Sequence, residues 1–320
     1  MITAIEIENF RGIAKGTVSG LKPLTALVGA NNSGKSTILE ALYVLACQGH
    51  PAAWLEVIKV RGWFGLEAVR AITYRNNGHC LVGEGRPENQ RFMLQVQQTL
   101  NGMKVDLIKS PTGQLSSLLF EGEKVDPIPY LANPGAIFID IGSIHQEQGL
   151  EGLYSKAIEP GIPAEEHLTA LCAVLRPATK QLRIRTVDNR SLLYTMDNDG
   201  VCALHFAGDG MRRLFKVACY LAVAKGRVVL IEEPECFQHP IAMDEFTKLI
   251  WAAVAQGTQV VFSTHSLELL SLVLAKEDGR DLSKACVVRT KLTDGQLITL
   301  NIDGPNASER MAEVGEDLRR

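Results

Sequence analysis

Residues 2–9, ITAIEIEN, alternate apolar and polar positions and predict a half-buried strand. Two more short strands are expected in 16–29, around Pro23. The second of them, LTALV, is rich in residues that suit a buried strand. The period changes at Lys35. Ile38, Leu39, Leu42 and Leu45 share one helical face, so a helix is expected from Lys35 to about Gln48. From 51 to about 130 the pattern weakens, with a β-hairpin predicted around Asn101-Gly102. AIFIDIG at 136–142 reads as a strand, and 147–176 as mainly helical, broken between Pro160 and Pro163. Short strands near 181–187, 191–196 and 200–206 are set apart by Asp-Asn and Asn-Asp-Gly turns.

The last third alternates clearly. A helix over 209–224 precedes the buried strand RVVLIEE. A helix over 241–255 precedes the buried strand TQVVFS, and another helix begins near Ser266. ACVVRT and QLITLNI are expected as edge strands, with a C-terminal helix following GPNASER. Strand–helix alternation implies a parallel sheet covered on both faces. The predicted class is α/β, with a mostly parallel sheet flanked by helices, an antiparallel β lobe and a helical insertion. No internal repeat or long heptad run interrupts the pattern.

Composition changes this picture little. The 320 residues are 46% hydrophobic and 22% charged, with a formal net charge of −3, so the chain is globular and lacks the strongly basic balance of a dedicated DNA binder. A local basic patch stays open. The seven cysteines form no C-x-x-C pair, which argues against a zinc site. MITAIEIENF reads as a strand rather than an export signal, and no apolar run reaches the ~18 residues of a membrane span. A cytoplasmic protein with reduced thiols and no membrane association is expected.

The chemistry begins at GANNSGKST. Gly29, four residues, Gly34, Lys35 and Ser36 follow the pattern G-x-x-x-x-G-K-[ST] between a predicted strand and a predicted helix. Glycines let backbone N–H groups turn inward toward phosphate oxygens, and the helix N-terminus adds partial positive charge there. Gly29, Ala30, Asn31, Asn32, Ser33, Gly34, Lys35, Ser36 and Thr37 are therefore the expected cradle for a nucleoside triphosphate. Lys35 is assigned to the β- and γ-phosphates and the Ser36 hydroxyl to Mg²⁺. A glycine-serine turn with a surface lysine is the bland alternative, and the strand–loop–helix context disfavours it.

VVLIEEPE places Glu232 and Glu233 at the C-terminal end of an apolar strand, where ligands sit in open α/β sheets. Glu232 is the candidate for Mg²⁺, directly or through water. Glu233 is the candidate base that polarises attacking water. VVFSTHS ends a second strand with His265, a candidate γ-phosphate sensor, whereas His239 reads as a turn residue beside Pro240.

IEIENFRGI, GANNSGKST, FAGDGMRRL, LIEEPECFQHP and FSTHSLELL occur in the order found in the RecF/SMC/OLD-like branch of the ABC ATPases, and the chain resembles a short OLD-like AAA/ABC ATP-binding protein. The resemblance implies a single ABC-type ATPase head over 1–320. Its nucleotide-binding core would be 1–50 and 200–320, with the β lobe and helical insertion in 51–199. It implies a composite site in which two heads sandwich two ATP molecules, hence a homodimer or higher homo-oligomer. Gly208, Asp209 and Gly210 then fall in the signature segment that faces the other head's γ-phosphate, and Pro234 and Glu235 fall in the D-loop. Arg11 resembles a family arginine close to the nucleotide, with a solvated strand-end arginine as the alternative. Gln146 is the candidate Q-loop glutamine helping to place Mg²⁺.

Two departures stand out: AGDG lacks the serine common near Gly208, and Glu232 stands where Asp is commoner. The stretch after His265 is shorter than a Toprim domain, so any nuclease or Toprim-type effector is expected to be a separate protein. DNA would be reached through that partner or a local patch. Phage defence or DNA repair is the implied setting. Two other functions remain open: the nucleotide-binding subunit of an ABC transporter, and a nucleotide-gated scaffold with negligible hydrolysis.

Overall fold

The computed structural model describes residues 1–59, 66–76, 78–84, 91–100, 102–110, 112–121, 124–126, 135–139, 150–158, 164–175, 179–187, 190–197, 200–236, 240–277, 279–313 and 315–319. The hairpin β1 (Ala4–Phe10) and β2 (Ile13–Ser19) leads to β3 (Leu24–Val28), which feeds α1 (Lys35–Ala46). After α2 (Pro51–Lys59) and α3 (Leu66–Ala71) comes an antiparallel run: β4 (His79–Glu84), β5 (Arg91–Gln98), β6 (Met103–Ser110), β7 (Gly113–Glu121) and β8 (Lys124–Asp126). β9 (Ala136–Ile139), α4 (Leu150–Ala157) and α5 (Ala164–Leu175) follow. A small sheet is formed by β10 (Gln181–Val187), β11 (Arg190–Met196) and β12 (Val201–Ala203). The chain then runs through α6 (Asp209–Val223), β13 (Val228–Glu232), α7 (Pro240–Ala255), β14 (Gln259–Ser263), α8 (Leu267–Val273), β15 (Ala285–Thr293), β16 (Gln296–Asp303) and α9 (Gly304–Glu313).

The main sheet has thirteen strands in the order β8-β7-β6-β5-β4-β1-β2-β16-β15-β3-β14-β13-β9. From β15 to β9 every pairing is parallel, and from β8 to β2 every pairing is antiparallel. The expected parallel core and antiparallel lobe are thus two halves of one sheet. β9, at 136–139, lies beside β13 in the parallel half, inside the span 51–199 that the sequence assigns to an insertion.

Strand alternation sorts the core onto two faces. Leu24, Ala26 and Val28 of β3 pack with Val229, Ile231, Val260 and Phe262 and with helices α6, α7 and α8. Leu27, Leu230, Val261 and Val288 point the other way and pack with α1. Continuous apolar runs are what burial on both faces requires.

Three expectations need correction. ACVVRT and QLITLNI are not edge strands. β15 pairs with β3 and β16 with β2, so this hairpin is the centre of the sheet that joins the halves. The C-terminal helix does not follow GPNASER but contains it, because Pro305 is suited to the first turn, where its missing N–H costs nothing. The third short strand stops at Ala203, and Leu204–Phe206 is a 3₁₀ turn.

Candidate nucleotide site

The loop between β3 and α1 is shaped by three left-handed residues: Gly29 (φ 145°), Asn32 (φ 60°) and Gly34 (φ 95°). At Gly29 glycine is required twice over. A Cβ there would lie 2.4 Å from the Thr290 carbonyl oxygen, and its φ suits no L side chain well. Thr290, in β15, buttresses the loop. Its hydroxyl donates to Val28 O at 3.1 Å and so accepts from Ser33 Oγ at 2.8 Å. Gly34 caps α1 and leaves the first N–H groups of that helix facing the loop's hollow.

Lys35 folds into this hollow. Its ammonium donates to Gly29 O at 3.0 Å and Ala30 O at 2.9 Å, and the residue is 6% exposed. Burial lowers its pKa, against the opposing pull of Glu233, Glu235 and Glu232. The loop thus stores a partly desolvated cation on carbonyls that a polyanion can displace.

The acids come from β13. Glu232 is its last residue, 4% exposed, in register with Ser263 of β14. Glu233 leaves the strand with φ 45°, a conformation costing about 1–3 kcal/mol in a non-glycine residue. Its N–H donates to Ser263 O at 3.1 Å, which fixes the turn. Its carboxylate is held on both oxygens. Oε2 accepts from Cys236 Sγ at 3.3 Å, and Oε1 lies 3.5 Å from His265 Nε2. Burial, and then the Glu233 carboxylate, push the Cys236 thiol up to about 12, so it stays a protonated donor.

His265 sits between the end of β14 and Ser266, whose hydroxyl accepts from Leu269 N and caps α8. The His265 N–H donates to Glu235 Oε1 at 2.8 Å, an oxygen that also accepts from Thr264 Oγ1 at 2.7 Å. Arg11, at φ 50° just after β1, is not a solvated strand-end residue. Its Nη1 lies 2.5 Å from Glu40 Oε2, and Glu40 is fully buried on α1.

These elements enclose a cleft of about 370 Å³, within the range of small-molecule sites. Asn31 through Thr37 line it, with Arg11 and Gly12 on one side, Glu233 and His265 on another, and Leu292. Gly29, Ala30 and Glu232 are not part of that lining: Gly29 and Glu232 are buried, and Ala30 is exposed. Gly208, Asp209 and Gly210 do not line it. They open α6, where Asp209 pairs with Arg212. Gln146 and His239 lie outside the described residues. Ser36 and Glu232 supply hard oxygen donors that suit Mg²⁺. Among the described residues no cluster of three or more His, Cys, Asp or Glu could hold a metal alone, so such an ion would share phosphate and water oxygens.

Three contributors escape the sequence reading: Glu40, Thr290 and Arg319, whose Nη1 donates to His265 O at 2.6 Å, while Glu235, read as a D-loop residue, is seen to hold the His265 N–H. Glu40 lies off the face that Ile38, Leu39, Leu42 and Leu45 share, so its burial leaves no signal in the helical pattern. Thr290 and Arg319 act across 54 to 262 positions of sequence and leave none.

Residues 1–97 match the family described as "AAA ATPase domain", and residues 148–271 the family described as "AAA domain, putative AbiEii toxin, Type IV TA system". Uncharacterized protein MJECL10 of Methanocaldococcus jannaschii is 35% identical over 82 residues, which is 24% of this chain and 37% of that protein. Uncharacterized protein MJECL11 of the same organism is 28% identical over 115 residues, covering 35% of this chain and 89% of that protein. Among solved structures, the SMC head bound to the C-winged helix domain of ScpA superposes with a TM-score of 0.58 at 14% identity, covering 94% of this chain and 97% of that one. The Pyrococcus furiosus SMC head with an extended coiled coil, bound to the C-terminal domain of ScpA, gives 0.54 at 12% identity over 98% and 99%. The fold is that of an SMC head. The two matched families, each over less than half of the chain, are both of AAA ATPase type and support an ATPase domain on this fold.

Proposed function

We propose that this chain is an ATP-hydrolysing head whose ATP-dependent dimerisation, or a change of conformation in an existing dimer, controls a separate effector. One observation carries the reading: the phosphate loop, Lys35, Glu233 and His265 converge on a single cleft. In this reading the loop amides and Lys35 bind the triphosphate. Ser36 and Glu232 hold Mg²⁺, whose chemistry would be to neutralise phosphate charge. Glu233 takes the proton from attacking water, and His265 contacts the γ-phosphate. Residues 1–50 and 200–320 serve as nucleotide-binding core, joined by the β9 strand, and Gly208, Asp209 and Gly210 act in trans. Their position outside the cleft, at a helix N-terminus, suits a contact made to a second copy.

The effector setting rests on likeness alone. Phage defence or DNA repair is the setting that the resemblance implies, and the family matched over 148–271 is described with a toxin–antitoxin system. The SMC head bound to a ScpA domain is a precedent for a protein partner on this fold. Seven cysteines without a disulfide suit a reducing cytoplasm, and no helix among the described residues is long and apolar enough to cross a membrane.

Single-turnover hydrolysis of ATP, run beside light scattering with and without ATP, tests the reading. Phosphate release with an ATP-dependent rise in mass or compactness is expected. Tight binding without phosphate release would establish the scaffold instead.

A further inference from the structure

We propose that Asp317 and Arg319 form a strut that positions His265, so that residues 315–319 govern turnover without touching nucleotide. This rests on the reading of Glu233 and His265 as hydrolytic machinery.

The peptide groups around His265 are held from two directions. Glu235 takes the N–H at 2.8 Å, and Arg319 Nη1 donates to the carbonyl at 2.6 Å. Arg319 is itself held. Its Nε lies 2.8 Å from Asp317 Oδ1 and its Nη2 2.9 Å from Asp317 Oδ2, a two-point fork that fixes the guanidinium plane. Between them Leu318 is fully buried in the core that also holds Leu269 and Leu270 of α8. The tail is thus anchored by an apolar side chain and presents one rigid donor to one carbonyl.

That carbonyl matters because of where it lies. β14 ends at Ser263 and α8 begins at Leu267, so His265 belongs to neither ladder nor helix. Its backbone direction is set by these side chains. Its ring lines the cleft with Nε2 3.5 Å from Glu233 Oε1. Arg319 does not line the cleft, and Asp317 offsets its charge, so its effect on the site is geometric rather than electrostatic. A displacement of about 1 Å at a reacting group can cost on the order of 100-fold in rate. Binding draws mainly on the loop amides and Lys35, so a displaced His265 costs it little.

Arg319→Ala is therefore expected to keep ATP affinity within about 2-fold and to lower the single-turnover rate by at least ~10-fold. Arg319→Lys, which can still donate to the carbonyl, should recover part of that loss, and Asp317→Asn should fall between. Hydrogen exchange at the amides of 264–270 should quicken in Arg319→Ala, a readout independent of turnover. Glu233→Gln and His265→Ala are measured alongside. If both of these turn over like wild type, the hydrolytic reading fails. If they are slow while Arg319→Ala is unchanged in rate, the strut alone fails. Equal losses of affinity and rate in Arg319→Ala, or unchanged exchange at 264–270, also overturn the strut.

Discussion

Glu233 Oε1 and His265 Nε2 lie 3.5 Å apart because two parallel strands end side by side. β13 and β14 are in register at Glu232 and Ser263, so the residues just beyond them enter the same cleft. Glu233→Gln keeps the volume and the hydrogen bond to water but cannot accept a proton. Hydrolysis should fall by at least ~100-fold while ATP still binds. The variant should accumulate as an ATP-dependent dimer. Turnover at the wild-type rate would remove Glu233 as the base. Slow turnover with no change in mass or compactness would keep the base and remove the two-headed sandwich.

Lys35 links nucleotide binding to pH. Its pKa in the folded protein lies below the 10.5 of a free lysine because it is buried. Between the lowered value and 10.5 the unfolded chain holds one more proton than the folded one. Stability without nucleotide should therefore rise with pH across that window. A bound triphosphate favours the charged form, so ATP binding should take up a proton in the same window and weaken as pH rises. Calorimetry in buffers of different ionisation enthalpy measures the uptake. Lys35→Met should abolish it and weaken binding by about 10–100-fold, the size of a charged hydrogen bond. Uptake that persists in Lys35→Met would assign the proton elsewhere.

Gly29→Ala tests the buttress from β15. The added methyl meets the Thr290 carbonyl and a strained φ, so a cost of about 1–3 kcal/mol is expected. Thermal unfolding should show it, with a loss of ATP affinity as the loop shifts. A variant as stable and as tight as wild type would mean that the loop has another resting shape.

Arg11→Ala should act on the fold as well as on the site. It removes a guanidinium from the fully buried Glu40, and breaking such a pair costs about 3–5 kcal/mol when both partners are buried, less here because Arg11 is partly exposed. Adding Glu40→Leu should restore much of the lost stability. ATP affinity measured on the repaired double variant then isolates what Arg11 does for nucleotide. Full affinity there would confine Arg11 to a structural role.

Much of this was legible in the sequence, for physical reasons. The phosphate loop announces itself because its glycines, lysine and serine act locally. The buried strands announce themselves because a two-sided strand must be apolar throughout. Thr290 and Arg319 were invisible, since a single hydroxyl or guanidinium carries no period and its partners lie far along the chain. The β15–β16 hairpin was misplaced at an edge for a related reason. Its alternation reveals a half-covered strand but not which strands flank it, and only pairing with β3 and β2 puts it at the centre.

That hairpin also sets how the molecule bears a mechanical load. β16 meets β2 through only two registered positions, Gln296 with Lys15 and Leu297 with Gly16. Thr299 and Asn301 lengthen the join by donating to the backbone carbonyls of Thr17, Ser19 and Gly20. Gly16 admits the close approach, since a Cβ there would lie 2.4 Å from that of Leu297. A pull across the strands would peel these bonds one after another, whereas a pull along them would load the bonds together. Leu297 Cδ1 also stands beside Gly34, 3.4 Å from where a Cβ would lie there. The seam between the two halves of the sheet is thus weak to tearing and strong to sliding.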